Sequence, residues 1–182
     1  MSDSKRAVFV VVLLVVSGVA TAGTASSSPD REEHCVVEVL DQLESGEFVI
    51  SDPVCFETFA EAAFAASLGA VRLDPGVTPD GLATAPGVVA LSTFTLGVHY
   101  DGYSGSGSSI TVVGSNCNGG YWNMTTAWDN RISSTWNGCN RINHHDLPNK
   151  GGDSRSTYGA GSVHNVPYPL DNAAESVSYS SS

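Results

Sequence analysis

Asp129-Asn130-Arg131-Ile132-Ser133-Ser134, near the middle of the chain, returns in weaker form near its end as Asp171-Asn172-Ala173-Ala174-Glu175-Ser176. Each copy closes a stretch that opens alike, on His99-Tyr100-Asp101 before the first and His144-His145-Asp146 before the second. The openings lie 144 − 99 = 45 positions apart and the closings 171 − 129 = 42. Two units of about 40 residues, rich in Gly, Ser and Asn, indicate a duplicated β module. The side chains of the repeated motif are oxygen donors, the chemistry that a hard cation such as calcium requires. The same residues also form metal-free turns, because short polar side chains hydrogen-bond the local backbone.

Around the motif the pattern is β. Thr93–Tyr100, Ile110–Val113, Tyr121–Met124, Ser134–Trp136 and Arg141–His144 are short runs rich in β-branched and aromatic residues, separated by Gly/Ser/Asn turns. Many short strands so punctuated predict an antiparallel sandwich over residues 91–182. Gly102-Tyr103-Ser104-Gly105-Ser106-Gly107 is a glycine-rich turn without the Lys-Ser/Thr ending of a phosphate loop.

The preceding residues differ. Lys5 and Arg6 followed by the apolar run Ala7–Val16 and the small residues up to Ala25 read as a secretory signal, 1–25, too short for a transmembrane span of about 20 residues. A small acidic segment, 26–70, holds two expected strands, Cys35–Leu40 and Glu47–Ile50, around a turn at Glu44-Ser45-Gly46. Phe56, Phe59, Ala60, Ala63, Phe64, Ser67 and Leu68 recur at helical spacing, with Gly69 as a stop. So small a segment needs a disulfide or something to dock on. Residues 71–90, with Pro75, Pro79 and Pro86, read as a linker or extended strap, and the domain boundary is placed there.

The formal net charge is −11. From Asp30 to Asp80 twelve acidic residues face two basic ones, 2 − 12 = −10, whereas from Leu91 onward the balance is 4 − 6 = −2. A chain of this sign is not built to bind nucleic acid. Export makes the four cysteines readable as disulfides. They allow three connectivities. Cys35–Cys55 and Cys117–Cys139 are favoured because each closes a short loop within one segment, stabilising by about 3 kcal/mol.

The duplicated unit resembles the βγ-crystallin superfamily. Its Greek-key motif opens on an aromatic–spacer–aromatic–x–Gly hairpin, of which Tyr100–Gly107 keeps the first aromatic and the glycine; the second unit keeps only the glycine end at Lys150-Gly151-Gly152. The later Asn/Asp, Asn/Asp, two variable residues, Ser/Thr, Ser signature is matched fully by Asp129–Ser134 and, except at Glu175, by Asp171–Ser176. The resemblance covers 93–179 and implies an antiparallel Greek-key β-sandwich. It implies calcium as a ligand, held by the side chains of Asp129, Asn130 and Ser133, of Asp171, Asn172 and Glu175, and by the carbonyls of Arg131 and Ala173. Few formal charges imply a Kd around 10⁻⁴ M. The last serines, Ser134 and Ser176, are expected to clamp a folded hairpin. The stretch from Cys117-Asn118-Gly119-Gly120-Tyr121 to Asn137-Gly138-Cys139 is similar to secreted bacterial members, among them metalloprotease inhibitors, and implies a monomeric peptidase inhibitor; the alternative is a calcium-binding structural or cell-surface module without an enzyme target.

No nucleophile–base arrangement stands out, so the expected protein is not an enzyme. His144-His145 invites a zinc reading, but neighbours on a strand point to opposite faces and cannot share one ion without a bend.

Overall fold

The computed structural model describes residues 32–78 and 95–182. The expected signal segment, and most of the expected linker, lie outside them. Eleven strands are described: β1 His34–Gln42, β2 Phe48–Ile50, β3 Val54–Phe56, β4 Thr95–Tyr100, β5 Ser109–Val113, β6 Asn118–Asn123, β7 Ser134–Asn137, β8 Arg141–Leu147, β9 Gly151–Tyr158, β10 Val163–Asn165 and β11 Ser176–Ser180. One helix, α1 Phe59–Ala66, follows β3. The expected strands are all present; β3, β9, β10 and β11 were not anticipated.

The strands form two sheets. One runs β10-β7-β4-β5-β1-β2, with β3 also on β1; the other runs β6-β11-β8-β9. All pairings between named strands are antiparallel except β1 on β5. The sequence repeat is visible in the strand order. In the first unit, β4, β5 and β7 lie as fourth-first-second strand, β7-β4-β5, and the second unit repeats this as β11-β8-β9. The third strand of each unit, β6 or β10, lies in the sheet of the other unit.

Alternation decides which side chains meet between the sheets. Val37, Leu96, Ile110 and Val112 from the first sheet pack against Trp122, Ile142, Val177 and Tyr179 from the second. On the opposite side of the first sheet, Val98, Tyr100 and Trp136 pack with Phe59 and Ala66 of α1 and with Val71. The helix is started by a capping box, in which Thr58 accepts from the Glu61 N–H and Glu61 accepts from the Thr58 N–H. Gly69, at φ +85°, ends it by donating to the Phe64 carbonyl. The buried stripe is Phe59, Ala62, Ala63 and Ala66, rotated from the expected one, so that Phe64 is exposed and lies under Arg72.

The expected boundary at 71–90 needs correction. The described residues, 32–78 and 95–182, belong to one compact unit. Strand β1 is an inner strand that pairs with β5 from His34 to Glu38, so the acidic segment completes the sheet instead of preceding it. Phe48 of β2 stacks on Tyr179, with ring centroids 6.0 Å apart. It also lies on the backbone of Gly120, where an added Cβ would come within 2.0 Å of the ring. The docking surface that a short segment needs is the sandwich itself. Both disulfides have the expected connectivity, Cys35–Cys55 and Cys117–Cys139. No helix among the described residues is long and apolar enough to cross a membrane. Two disulfides accord with an oxidising compartment.

Candidate functional site: the paired motif loops

Each motif occupies the connection that enters the fourth strand of its unit, and the fold sets the two loops against each other. The Asn130 N–H donates to the Ala174 carbonyl at 3.0 Å, and the Asn172 N–H donates to the Ile132 carbonyl at 3.0 Å. These bonds are reciprocal: 172 − 130 = 42 and 174 − 132 = 42. Asn130 and Asn172 are both left-handed, at φ +57° and +53°, a conformation that asparagine tolerates better than most side chains.

The expected site residues fall into three groups. Ser133 and Asn172, far apart in sequence, come together: the buried Ser133 hydroxyl donates to Asn172 Oδ1 at 3.0 Å. Two neutral oxygens at this spacing are compatible with one calcium at 2.3–2.6 Å from each, and the Arg131 carbonyl belongs to the same loop. The donor set fits a hard cation held without much charge. Asp129, Asn130 and Glu175 form the second group. Asp129 and Asn130 are exposed, and Glu175 is half-buried with its backbone tied to His145 and Met124. No side-chain contact joins these three to one another. In the third group, the Tyr103 hydroxyl donates to the Asp171 carboxylate, and this raises the tyrosine pKa above its ordinary value. Asp171 thus carries a hairpin contact. Ala173 offers only its backbone, and its N–H donates to the Leu170 carbonyl.

The last serine of each motif is a clamp. Ser134 donates to the Gly102 carbonyl at 2.6 Å and accepts from the Gly105 N–H at 2.9 Å. Ser176 donates to the Leu147 carbonyl at 2.7 Å and accepts from the Lys150 N–H at 3.2 Å. The offsets repeat the period of the sequence, 147 − 102 = 45, 150 − 105 = 45 and 176 − 134 = 42. The first hairpin is held further by the Ser104 N–H donating to Asn165 Oδ1 at 2.7 Å. Tyr103 belongs to the glycine-rich turn read from sequence, but nothing there pointed to its bond with Asp171 or to Asn165; only the fold brings β10 to that turn.

The Arg131 side chain points away from the paired loops. It bonds Asp101 at 2.7 Å and the Ala127 carbonyl at 2.8 Å and covers the Trp128 ring. The counterpart of Arg131 in the second unit is Ala173, and Asp146, the counterpart of Asp101, has no such partner.

His144 and His145 point to opposite sides of their strand, as strand neighbours do. His144 faces the core and His145 the outer side of its sheet, where its Nε2 lies 3.1 Å from Ser178 Oγ. His99 is buried between Tyr179, at 2.8 Å, and Thr135, at 3.2 Å. Burial holds the pKa of His99 well below the usual histidine value, and it lowers that of His144 to about 4. Glu33, Cys35 and Cys55 lie together, but both sulfurs are spent in their disulfide and cannot act as thiolate ligands.

Comparison of the chain with protein-family models, with curated proteins and with solved structures finds no match.

Proposed function

We propose that the chain is an exported binding module of βγ-crystallin type, in which two Greek-key units share a calcium-dependent seam. The observation that carries this reading is the meeting of Ser133 with Asn172 across the paired loops. The strand order supports it, since each unit lends its third strand to the sheet of the other. Ser133, Asn172 and the Arg131 carbonyl would hold the ion, and bound calcium would supply a charge bridge between the units. A cation that binds only the folded state stabilises by RT ln(1 + [L]/Kd). With Kd around 10⁻⁴ M, 10 mM calcium adds about 2.7 kcal/mol. Ser133→Ala and Asn172→Ala should each remove most of that gain, although the two residues lie 39 positions apart. Equal melting temperatures in calcium and in chelator would reject the reading.

A second reading, a peptidase inhibitor, has one observation in its favour. In Pro167-Tyr168-Pro169 the tyrosine is 89% exposed, while Val166 and Leu170 on either side are buried. A side chain presented on a backbone fixed at both ends loses little freedom on binding. Titration of the mature protein against secreted metallo- and serine peptidases should give a stoichiometric endpoint that Tyr168→Ala abolishes. Full peptidase activity at a molar excess of the protein would remove this reading.

A further inference from the structure

The first sheet carries α1 on its outer side, whereas no helix among the described residues covers the outer side of the second. The central register row of that open side crosses all four strands as Tyr121, Ser178, Asn143 and Ser156. The rows on either side, Ser180–Arg141–Tyr158 and Ser176–His145–Ser154, bring no aliphatic side chain either. The central side chains are joined to one another. Ser156 donates to Asn143 Oδ1 at 2.6 Å, Asn143 Nδ2 donates to Ser178 Oγ at 3.2 Å, and His145 Nε2 lies 3.1 Å from the same oxygen. These bonds fix the orientation of the row. They leave the second Nδ2 hydrogen of Asn143 and the lone pairs of Ser156, both partly exposed residues, for a ligand. Tyr158 stands at one end with its side chain largely open to solvent. Its hydroxyl is drawn to Ser156 and Arg141, which lower its pKa below the ordinary tyrosine value, so the ring is held at its polar tip. At the other end Lys150 Nζ sits 4.8 Å from the centre of the buried Tyr121 ring.

We propose that this face binds an extended, uncharged glycan, a chain of β-linked pyranose units running across the strands from Tyr121 to Tyr158. Neighbouring strands lie about 4.8 Å apart, so polar side chains repeat along the row at close to the length of one pyranose unit. The row offers donors and acceptors together, as sugar hydroxyls require, and the exposed Tyr158 ring offers an apolar surface to the C–H face of a pyranose. A polyanion is opposed by the net charge of −11, and both cations of the face are engaged, Lys150 over Tyr121 and Arg141 beside Tyr158. A protein partner would call for an apolar centre, which the three rows lack. None of these residues is a proposed calcium donor, and the inference does not rest on calcium.

The test uses the mature chain with both disulfides intact and calcium held fixed. Cellohexaose and chitohexaose, two extended neutral chains, are titrated by calorimetry beside hexagalacturonate as the anionic counterpart. A neutral chain should bind saturably, and its affinity should change by less than about twofold between low and high salt, since no ion pair is made. Tyr158→Ala, at an exposed position, should weaken it about tenfold, and Tyr158→Trp should restore or strengthen it. Asn143→Ala should weaken it severalfold. Leu68→Ala removes an exposed apolar side chain that follows α1, far from this row in the fold, and should leave affinity unchanged. Binding of neither neutral chain would overturn the proposal, as would binding of hexagalacturonate alone, an affinity indifferent to Tyr158→Ala, or a loss at Leu68→Ala equal to that at Tyr158→Ala. Equal melting temperatures in calcium and in chelator would leave these results intact, so the two readings fail separately.

Discussion

Ser133 and Ser134 are adjacent, both buried, and do different work. Ser134 satisfies two backbone groups of the first hairpin, one as donor and one as acceptor. Removing its hydroxyl leaves the Gly105 N–H and the Gly102 carbonyl without that partner, which costs about 1–3 kcal/mol for a buried group. We expect Ser134→Ala to lower the urea midpoint by a corresponding amount with calcium or with chelator, and Ser176→Ala to do the same in the second unit. Ser133→Ala should matter much less in chelator, because its hydroxyl bonds one side chain, Asn172, that stays near solvent. A calcium-independent loss at Ser133 as large as at Ser134 would contradict this division. The clamp serines and the pairing of the motifs are legible in sequence because the period repeats them. The roles of Asp171 and Arg131 are not, since each is set by a residue, Tyr103 or Asp101, that the fold alone brings near. The repeat suggested one site in each unit, the second weaker at Glu175; the structure instead brings together one residue from each motif, Ser133 and Asn172, and leaves Asp129, Asn130 and Glu175 without side-chain contact to one another.

Among the elements, strands with alternating β-branched or aromatic residues were readable, and those built from Gly, Ser, Asp and Arg were not. Strand β9, Gly151–Tyr158, has almost no apolar pattern and exists because β8 templates it along most of its length. The helix was readable in position but not in phase: alanines at 60, 62, 63, 65 and 66 make every face small and apolar, and only packing against Val98 and Trp136 selects the buried one. The place of the acidic segment was the largest miss, because parallel pairing of β1 with β5 leaves no local signal in sequence. It leads to a prediction. Gly120 lets Phe48 lie flat on β6, and the ring leaves no room for a Cβ. Gly120→Ala should push Phe48 out of its stack with Tyr179 and destabilise by about 1–3 kcal/mol, the usual cost of overpacking. Phe48→Ala combined with Gly120→Ala should cost less than the sum of the two single changes, since the clash disappears with the ring. Additive losses in chemical denaturation would mean that Phe48 does not hold the segment in place.

At the scale of the molecule, the core is asymmetric in polarity. His99 from the first sheet and His144 from the second meet edge to face in the interior, ring centroids 6.0 Å apart, beside Trp122 and Tyr179. Both are fully buried and neutral; burial is the main reason each resists protonation, reinforced for His99 by His144 and for His144 by His145. The sign of the pH dependence follows from the folded state binding fewer protons than the unfolded chain. Above the unfolded value of 6.5 both states hold neutral histidines and stability is at its full level. Below 6.5 the unfolded chain takes up protons that the core refuses, and stability falls until the pH passes the folded value of about 4 for His144. A displacement of that size corresponds to about 3 kcal/mol from His144, with His99 acting in the same direction. His34 and His145, also buried, are lowered as well by burial and add losses in the same direction. We therefore expect the denaturant midpoint to drop steeply between pH 6.5 and 4, ahead of any loss that depends on titrating carboxylates. His144→Leu keeps an apolar side chain in the core while removing the ionisable ring, so its midpoint should be flatter over that interval and should overtake the parent protein toward pH 4. Parallel pH profiles for the two proteins would show that the acid sensitivity arises elsewhere.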